Sequence, residues 1–434
     1  MRLRGVRVAP RSYLTVMNDL LKPVAGDTAS SDQIELGGHN IMRYFGRTLS
    51  AAAVIAMCVA VASAVSGDDG KQSAKETNRY VVTNLTSDLR GIAPNMDPVL
   101  QNAWGVAFTP GASPFWIADN ATGCSTLYDG GGVPQPPATP LRVKLPLPGG
   151  TVPSTACKPV DPNNPPNPTP AAPTGLVWNP TMTFLVPGTT SPATFIWDTE
   201  DGTISAWTPG LTPPDQAVLA ADKSPGAVYK GLVFGTNVHG VFLFATNFRA
   251  ATIDVFAANG SQRFRPATSA EIEGDFKDPK IPAGFAPFGI QNINGDLFVT
   301  YAMQDARQHD DVAGPGNGFV DIFDTSGHLL RRFASRGTLN SPWGVARPSF
   351  AFGRFSGDVL VGNFGDGQIN AFDSDGKHLG TLKDGDGKPI VIDGLWTLTL
   401  GGGRNSSSDT LYFTAGPNGE TDGLFGTITP ASTD

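Results

Sequence analysis

The chain has 434 residues, of which 52 are glycine and 37 are proline, and only 16% are charged. That composition suits many short strands joined by tight turns and excludes an architecture of long solvated helices. The formal net charge of −8 argues against a nucleic-acid surface, because acidic groups repel phosphate.

Residues 1–41 show no hydrophobic period and read as an unstructured, over-extended N-terminus, with Met42 as the natural start. Arg43 and Arg47 then form a basic flank, Leu49 to Val61 an apolar run, and Ala62-Ser63-Ala64 a small-residue cleavage site. Together they predict a secretory signal over 42–65. The run is short for a membrane span, so the processed chain is expected to keep no stable span and to be secreted, periplasmic or extracellular. Residues 66–78 are polar and read as a flexible leader.

From residue 79 to 430 one phrase recurs. Its clearest copy is Trp343-Gly344-Val345, then Val359-Leu360-Val361-Gly362-Asn363, then Ile369-Asn370-Ala371-Phe372. Inner-strand phrases centre on Gly105, Gly175, Gly231, Gly289, Gly344 and Gly394. Repeats of roughly 40–60 residues with four short strands each predict an all-β, six-bladed β-propeller. Glycine fits the innermost strand, where blades crowd the axis. The last repeat ends at Ile428 without room for a fourth strand, and Tyr80 to Leu85 is a strand without a neighbour. Pairing the two closes the ring and removes an open edge.

Two stretches break the period. Residues 130–173 are proline-rich and predict a surface insertion outside the blades. Cys124 and Cys157 flank and enter it, and two cysteines outside the signal of an exported protein are expected to form a disulfide. The second stretch is Met303 to Asn317, a loop of the fourth blade containing Asp305, Arg307, His309, Asp310 and Asp311.

In antiparallel blades, the start of strand one and the end of strand two lie at the same end of the ring. Polar residues recur there: Asn102, Asn340 and Asp393 at inner strands, and Asp119, Asp198, Asn247 and Asn363 at second strands. With Asp310 of the long loop they are candidates for the mouth of the central channel. Oxygen ligands gathered there suit calcium or a polar small molecule. The same residue types also cap turns through their own backbone, so each position admits both roles. The sequence contains no phosphate loop, zinc spacing or Gly-x-Ser-x-Gly motif. The tryptophans fall at blade positions and read as core.

The phrases Asn102-Ala103-Trp104-Gly105-Val106-Ala107, Phe285-Ala286-Pro287-Phe288-Gly289-Ile290 and Gly314-Pro315-Gly316-Asn317-Gly318-Phe319 resemble an uncharacterised family of exported bacterial propellers. Some of its members carry a PEP-CTERM sorting tail. The resemblance spans roughly residues 78–430. The closing Thr429-Pro430-Ala431-Ser432-Thr433-Asp434 lacks such a tail, which under this resemblance implies a released protein. The repeats also resemble NHL repeats, whose propellers include binding scaffolds and calcium-dependent lactonases of the SMP-30 type. The lactonase pattern expects a glutamate where Asn102-Ala103-Trp104 stands, while Asp393-Gly394-Leu395 is similar to another part of it.

The expected function is therefore a monomeric recognition or scaffold module. Its ligand is an extracellular protein, glycan or small molecule bound at the channel mouth. The competing expectation is a metal-dependent hydrolase or lactonase, with Asn102, Asn340 and Asp393 as ligands to calcium.

Overall fold

A computed structural model describes residues 77–432, apart from residues 112, 260 and 261. The expected N-terminal extension and signal, and the leader up to residue 76, lie outside the described residues. Six antiparallel sheets form six blades. From the innermost strand outward, blade 1 is Ala103–Ala107, Phe115–Asp119, Cys124–Tyr128 and Val143–Lys144. Blade 2 is Pro173–Trp178, Phe195–Thr199, Thr203–Trp207 and Val218–Asp222. Blade 3 is Tyr229–Asn237, Gly240–Asn247, Thr252–Asn259 and Gln262–Pro266. Blade 4 is Phe285–Ile293, Asp296–Met303, Phe319–Phe323 and Leu329–Ser335. Blade 5 is Pro342–Ala346, Val359–Asn363, Ile369–Phe372 and His378–Thr381.

Blade 6 is built from both ends of the repeat region. Leu395–Leu400, Leu411–Ala415 and Leu424–Pro430 are its inner three strands, and Tyr80–Ser87 is the fourth. Val81 pairs with Thr429 and Val82 with Ile428, as the sequence predicts. Asn95–Met96 adds a short parallel strand outside it.

All six innermost strands share one irregularity. In blade 1 Ala103 pairs with Asp119 and Val106 with Ile117, so Trp104 and Gly105 face the single residue Ala118. The same two-against-one bulge recurs at Thr174-Gly175, Lys230-Gly231, Phe288-Gly289, Trp343-Gly344 and Trp396-Thr397. A bulge sharpens strand twist and re-aims side chains, and here it acts where six strands converge. The second bulge residue abuts the next blade. A β-carbon on Gly289 would lie 2.2 Å from the carbonyl oxygen of Trp343, and one on Gly344 would lie 2.5 Å from that of Trp396.

Two sequence expectations are corrected by this register. The sixth phrase centres on Thr397, not on Gly394, which precedes the strand in a left-handed conformation. Thr397 donates instead to the carbonyl of Trp104 (2.7 Å), joining blade 6 to blade 1 where the ring closes. The proline-rich stretch is also not wholly outside the blades, because Val143–Lys144 pairs with Cys124 and Ser125 as the outermost strand of blade 1. The Cys124–Cys157 disulfide is present and ties this stretch to the third strand.

Between blades the core is aromatic and aliphatic. Trp116, Phe195, Trp197 and Trp207 pack between blades 1 and 2. Phe115, Tyr128, Tyr412 and Phe425 pack between blades 6 and 1. These faces are what each isolated blade would expose, so the blades stabilise one another in series.

Candidate functional site: the channel mouth

The first bulge residue points to the axis in five blades, and in blade 2 it is Thr174, whose hydroxyl donates to Asp198 and the Tyr229 carbonyl. The six residues at this position are Trp104, Thr174, Lys230, Phe288, Trp343 and Trp396. Contacts across the ring establish the direction. Trp104 meets Phe288 of blade 4 and Trp343 of blade 5 edge to face, at 6.5 and 6.0 Å between ring centroids. Trp104 stacks on Trp396, and the Trp343 indole nitrogen donates to the Lys230 carbonyl (2.8 Å). The residue one past the partner of the position before each bulge adds an upper tier: Asn120, Glu200, Phe248, Phe364 and Gly416 just beyond their second strands, and Ala302 still within its longer one. Phe364 stacks on Trp396 at 4.0 Å, and Phe248 lies 5.3 Å from Phe288. On the other side of the aromatic ring a cavity of about 70 Å³ is lined by aliphatic residues including Val106, Leu176, Leu232 and Leu398.

The two tiers are asymmetric. Blades 3 to 6 supply most of the aromatic rings, and polar groups gather toward blades 1 to 3. There the side chains form one continuous row. The Trp396 indole nitrogen donates to Asn102 Oδ1 (3.0 Å). Asn102 Nδ2 donates to Glu420 Oε2 (2.7 Å) and Asn120 Oδ1 (3.1 Å). Asn120 Nδ2 donates to Glu200 Oε2 (3.0 Å), and Lys230 Nζ donates to Glu200 Oε1. Lys230 Nζ also lies 3.6 Å from Asp310 Oδ1, which is 2.8 Å from His309 Nδ1.

Each member is placed by backbone geometry. Asn102 sits just before its strand with φ of 48°, and Glu420 ends a tight turn, Pro417–Glu420, with φ of 67°. Both are left-handed conformations that side chains other than glycine seldom adopt. His309 and Asp310 arrive on the long blade 4 loop. Gln304 anchors that loop to the Phe248 carbonyl, and Asn340 Oδ1 accepts from Gly314 N (2.7 Å).

Charge is concentrated here. The Lys230 side chain is only 3% exposed. Burial pushes its pKa down, but attraction from Glu200, Asp310 and Glu420 outweighs this and holds it above the usual lysine value. His309 donates to Asp310 and, with Lys230, draws the Asp310 carboxyl down to about 2. The bond to Asp310 raises His309 in turn. Burial, reinforced by repulsion from Glu200, pushes Glu420 up to about 7. Burial also raises Asp311.

No family model matches the chain. It is 31% identical over 353 residues to uncharacterized protein R648 of Acanthamoeba polyphaga mimivirus, covering 80% of this chain and 79% of that protein. It is 30% identical over 354 residues to uncharacterized protein L690 of the same virus, covering 80% and 85%. The chain belongs to the family of these proteins. The members matched here are viral, so the bacterial origin implied by the sequence resemblance is not carried by them. Among solved structures the chain is similar to virginiamycin B lyase from Staphylococcus aureus, at 14% identity and a TM-score of 0.44 over 81% of this chain and 99% of that one. It is also similar to the gluconolactonase XC5397 from Xanthomonas campestris, at 12% identity and a TM-score of 0.41 over 76% and 86%.

Of the side chains expected at the mouth of this family member, the fold brings Asn102 and Asp310 into the row. Four others are turned into the blades. Asp119 is fully buried and accepts from Thr126 Oγ1 (3.1 Å). Asp198 is fully buried opposite the blade 2 bulge and accepts from Gly175 N and Thr174 Oγ1. Asn247 Nδ2 donates to Asp254, and Asn363 Nδ2 to the Thr338 carbonyl (2.7 Å). The physical reason is depth along the strand: Asp119, Asn247 and Asn363 are still paired within their sheets and Asp198 stands one position earlier, opposite the bulge, so all four are covered by neighbouring blades, and the mouth is reached one residue past the last of these pairs, at Asn120 and Glu200.

The expected oxygen set of Asn102, Asn340 and Asp393 does not converge either. Asn340 bonds Gly314 and Asp366, while Asp393 accepts from Asn418 N. Asn340 and Asp393 share one register position, but Asn102 stands one residue later, equivalent to Ser341 and Gly394. The residues that do converge are Glu200, His309 and Asp310, each offering an atom within 4.8 Å of the others. Lys230, Glu200, Asn120 and Glu420 escaped the sequence reading. Lys230 had a signal: it is the one charged residue in a column of four aromatics and a threonine.

Proposed function

We propose that the protein is an exported, monomeric recognition module whose ligand docks on the polar side of the propeller mouth. Asn102, Asn120, Glu200, Lys230, His309, Asp310 and Glu420 form that surface. The observation that carries this reading is their unbroken row of contacts, to which five of the six blades contribute. Packing does not require it, since elsewhere around the same two tiers aromatic rings fill the axis. Left-handed backbone at Asn102, Ser341 and Glu420 adds support, because strain of this kind concentrates at binding sites.

The charge pattern narrows the ligand. Lys230 is already neutralised by Glu200 and Asp310, and Asp311 and Glu420 add further acid. A neutral or positively charged ligand rich in hydrogen-bonding groups fits this mouth, and an anionic one is repelled. An extracellular glycan, peptide or polar small molecule meets that description. Export is supported by the disulfide, which persists in oxidising compartments. No helix among the described residues is long and apolar enough to cross a membrane. The competing metal-dependent lactonase lacks its expected ligand set of Asn102, Asn340 and Asp393, and two of the three residues that do converge, Glu200 and Asp310, are already engaged by Lys230.

A thermal-shift screen of neutral saccharides, amines, short peptides and organic acids tests the reading. Neutral or cationic compounds should raise the melting temperature of the wild type but not of Asn120→Ala. Equal responses in both proteins, or a preference for the acids, would overturn it. Elution as a dimer in size exclusion would remove the monomer proposal.

A further inference from the structure

We infer that the mouth is a cation site that the chain fills with its own Lys230, so that it is held together by an internal ammonium and not by a bound divalent ion. Lys230 occupies the ring position where the other blades place Trp104, Thr174, Phe288, Trp343 and Trp396. A lysine in such a ring is costly unless its charge is met at once. It is met on every side. Glu200 Oε1 accepts from Nζ, and Asp310 Oδ1 lies 3.6 Å away. The faces of Trp104 and Phe248 lie 5.3 and 5.8 Å from Nζ, and aromatic faces attract ammonium groups.

The same place has the geometry of an ion site. Glu200, His309 and Asp310 offer ligand atoms within 4.8 Å of one another, and Nζ already engages two of these three residues. Asp311 and Glu420 also act on Lys230 electrostatically. Five ionisable neighbours, four of them carboxylates, thus surround one buried positive charge. Without it the carboxylates repel each other, most strongly at the largely buried Glu200. With it, a dication entering the cluster meets a fixed ammonium as well as the acids. Because the charge is delivered by the backbone of blade 3, it is present as soon as the ring forms and is independent of metal supply.

The test is thermal denaturation of the intact protein with calcium, magnesium, manganese, propylammonium or a chelator. Wild-type protein should melt at the same temperature with chelator or with millimolar metal. Lys230→Met keeps the apolar stem and removes the charge. It should melt lower, and calcium or propylammonium should restore about 2–5 °C. A wild-type melting temperature that falls on chelation and rises with calcium would overturn the inference. So would a folded Lys230→Met that responds to neither cation. If Lys230→Met does not fold, the wild-type chelation result still decides, and Lys230→Met/Glu200→Gln should recover folding.

Discussion

Lys230 of the innermost blade 3 strand donates its ammonium to Glu200 of the blade 2 turn, and the two side chains are only 3% and 12% exposed. This contact bridges adjacent blades at the axis and connects the Asn102–Asn120 side of the mouth to the His309–Asp310 loop. Removing one partner leaves the other charge buried and unpaired. Glu200→Gln or Lys230→Met should each cost about 3–5 kcal/mol, and the double variant less than the sum. Urea unfolding of the four proteins in a double-mutant cycle measures this. Additive losses would show that the pair is not coupled.

Glu420 has a carboxyl pushed up to about 7 by burial. The folded state therefore binds its proton more tightly than the unfolded chain does. The stability linked to this group is present below its unfolded value and is lost as pH rises toward 7. Glu420→Gln keeps an acceptor for Asn102 and removes the charge. At pH 8 it should be about 1–2 kcal/mol more stable than wild type, with little difference at pH 4. Denaturant titrations at the two pH values check the sign.

Asp198 lies opposite the bulge of blade 2, where blades 3, 4 and 6 carry Thr246, Thr300 and Thr414. Its Oδ2 has no hydrogen-bond partner among the described residues, and burial pushes its carboxyl up to about 7. Here too stability is lost as pH rises toward 7. Asp198→Thr should be stabilising by about 1–3 kcal/mol at pH 8, since a threonine hydroxyl can meet Gly175 N without a buried charge. A destabilised Asp198→Thr at pH 8 would assign the carboxylate a role beyond packing.

Gly289 and Thr397 occupy the same register but face different neighbours. A β-carbon on Gly289 meets the Trp343 backbone, which cannot move without separating blades 4 and 5. Gly289→Ala should lower stability by about 2–4 kcal/mol, as for overpacked cores. Thr397→Gly loses one hydrogen bond to Trp104 O and should cost only about 1 kcal/mol. Melting curves of the two variants should fall in that order.

The Cys124–Cys157 disulfide closes a separation of 33 residues across the proline-rich stretch. Cys124→Ala/Cys157→Ala should lower stability by about 3–4 kcal/mol on the chain-entropy account. Proteolysis of this variant should begin within residues 130–173, where backbone is held by few strand pairs. Cleavage beginning elsewhere would show that the bridge does not restrain this stretch.

Blade number and the closing strand were legible because both depend on local pattern. Short β-branched runs, glycine at inner strands and a strand-like Tyr80–Leu85 segment set apart from the repeats are visible without knowing any contact. The disulfide was legible for a similar reason, with two cysteines remaining outside the signal. The mouth was less legible. Asp119, Asn247 and Asn363 look like rim residues along the chain, yet each is still paired within its sheet, one residue short of the mouth. Glu420 depends on three successive left-handed residues in a turn, Asn418, Gly419 and Glu420, whose direction no periodicity encodes.

The sequence alone determined that six similar sheets must cover one another's apolar faces, because each repeat carries the same strands and turns. Only the tertiary structure decided which side chains meet at the axis. That choice rests on a two-residue bulge in each inner strand, which sends Lys230 to the centre and Asp198 to the interior of its blade. A register shift of one residue reverses a side chain's direction while leaving the hydrophobic pattern almost unchanged. The charged mouth is therefore a property of six strands brought together, not of any one of them.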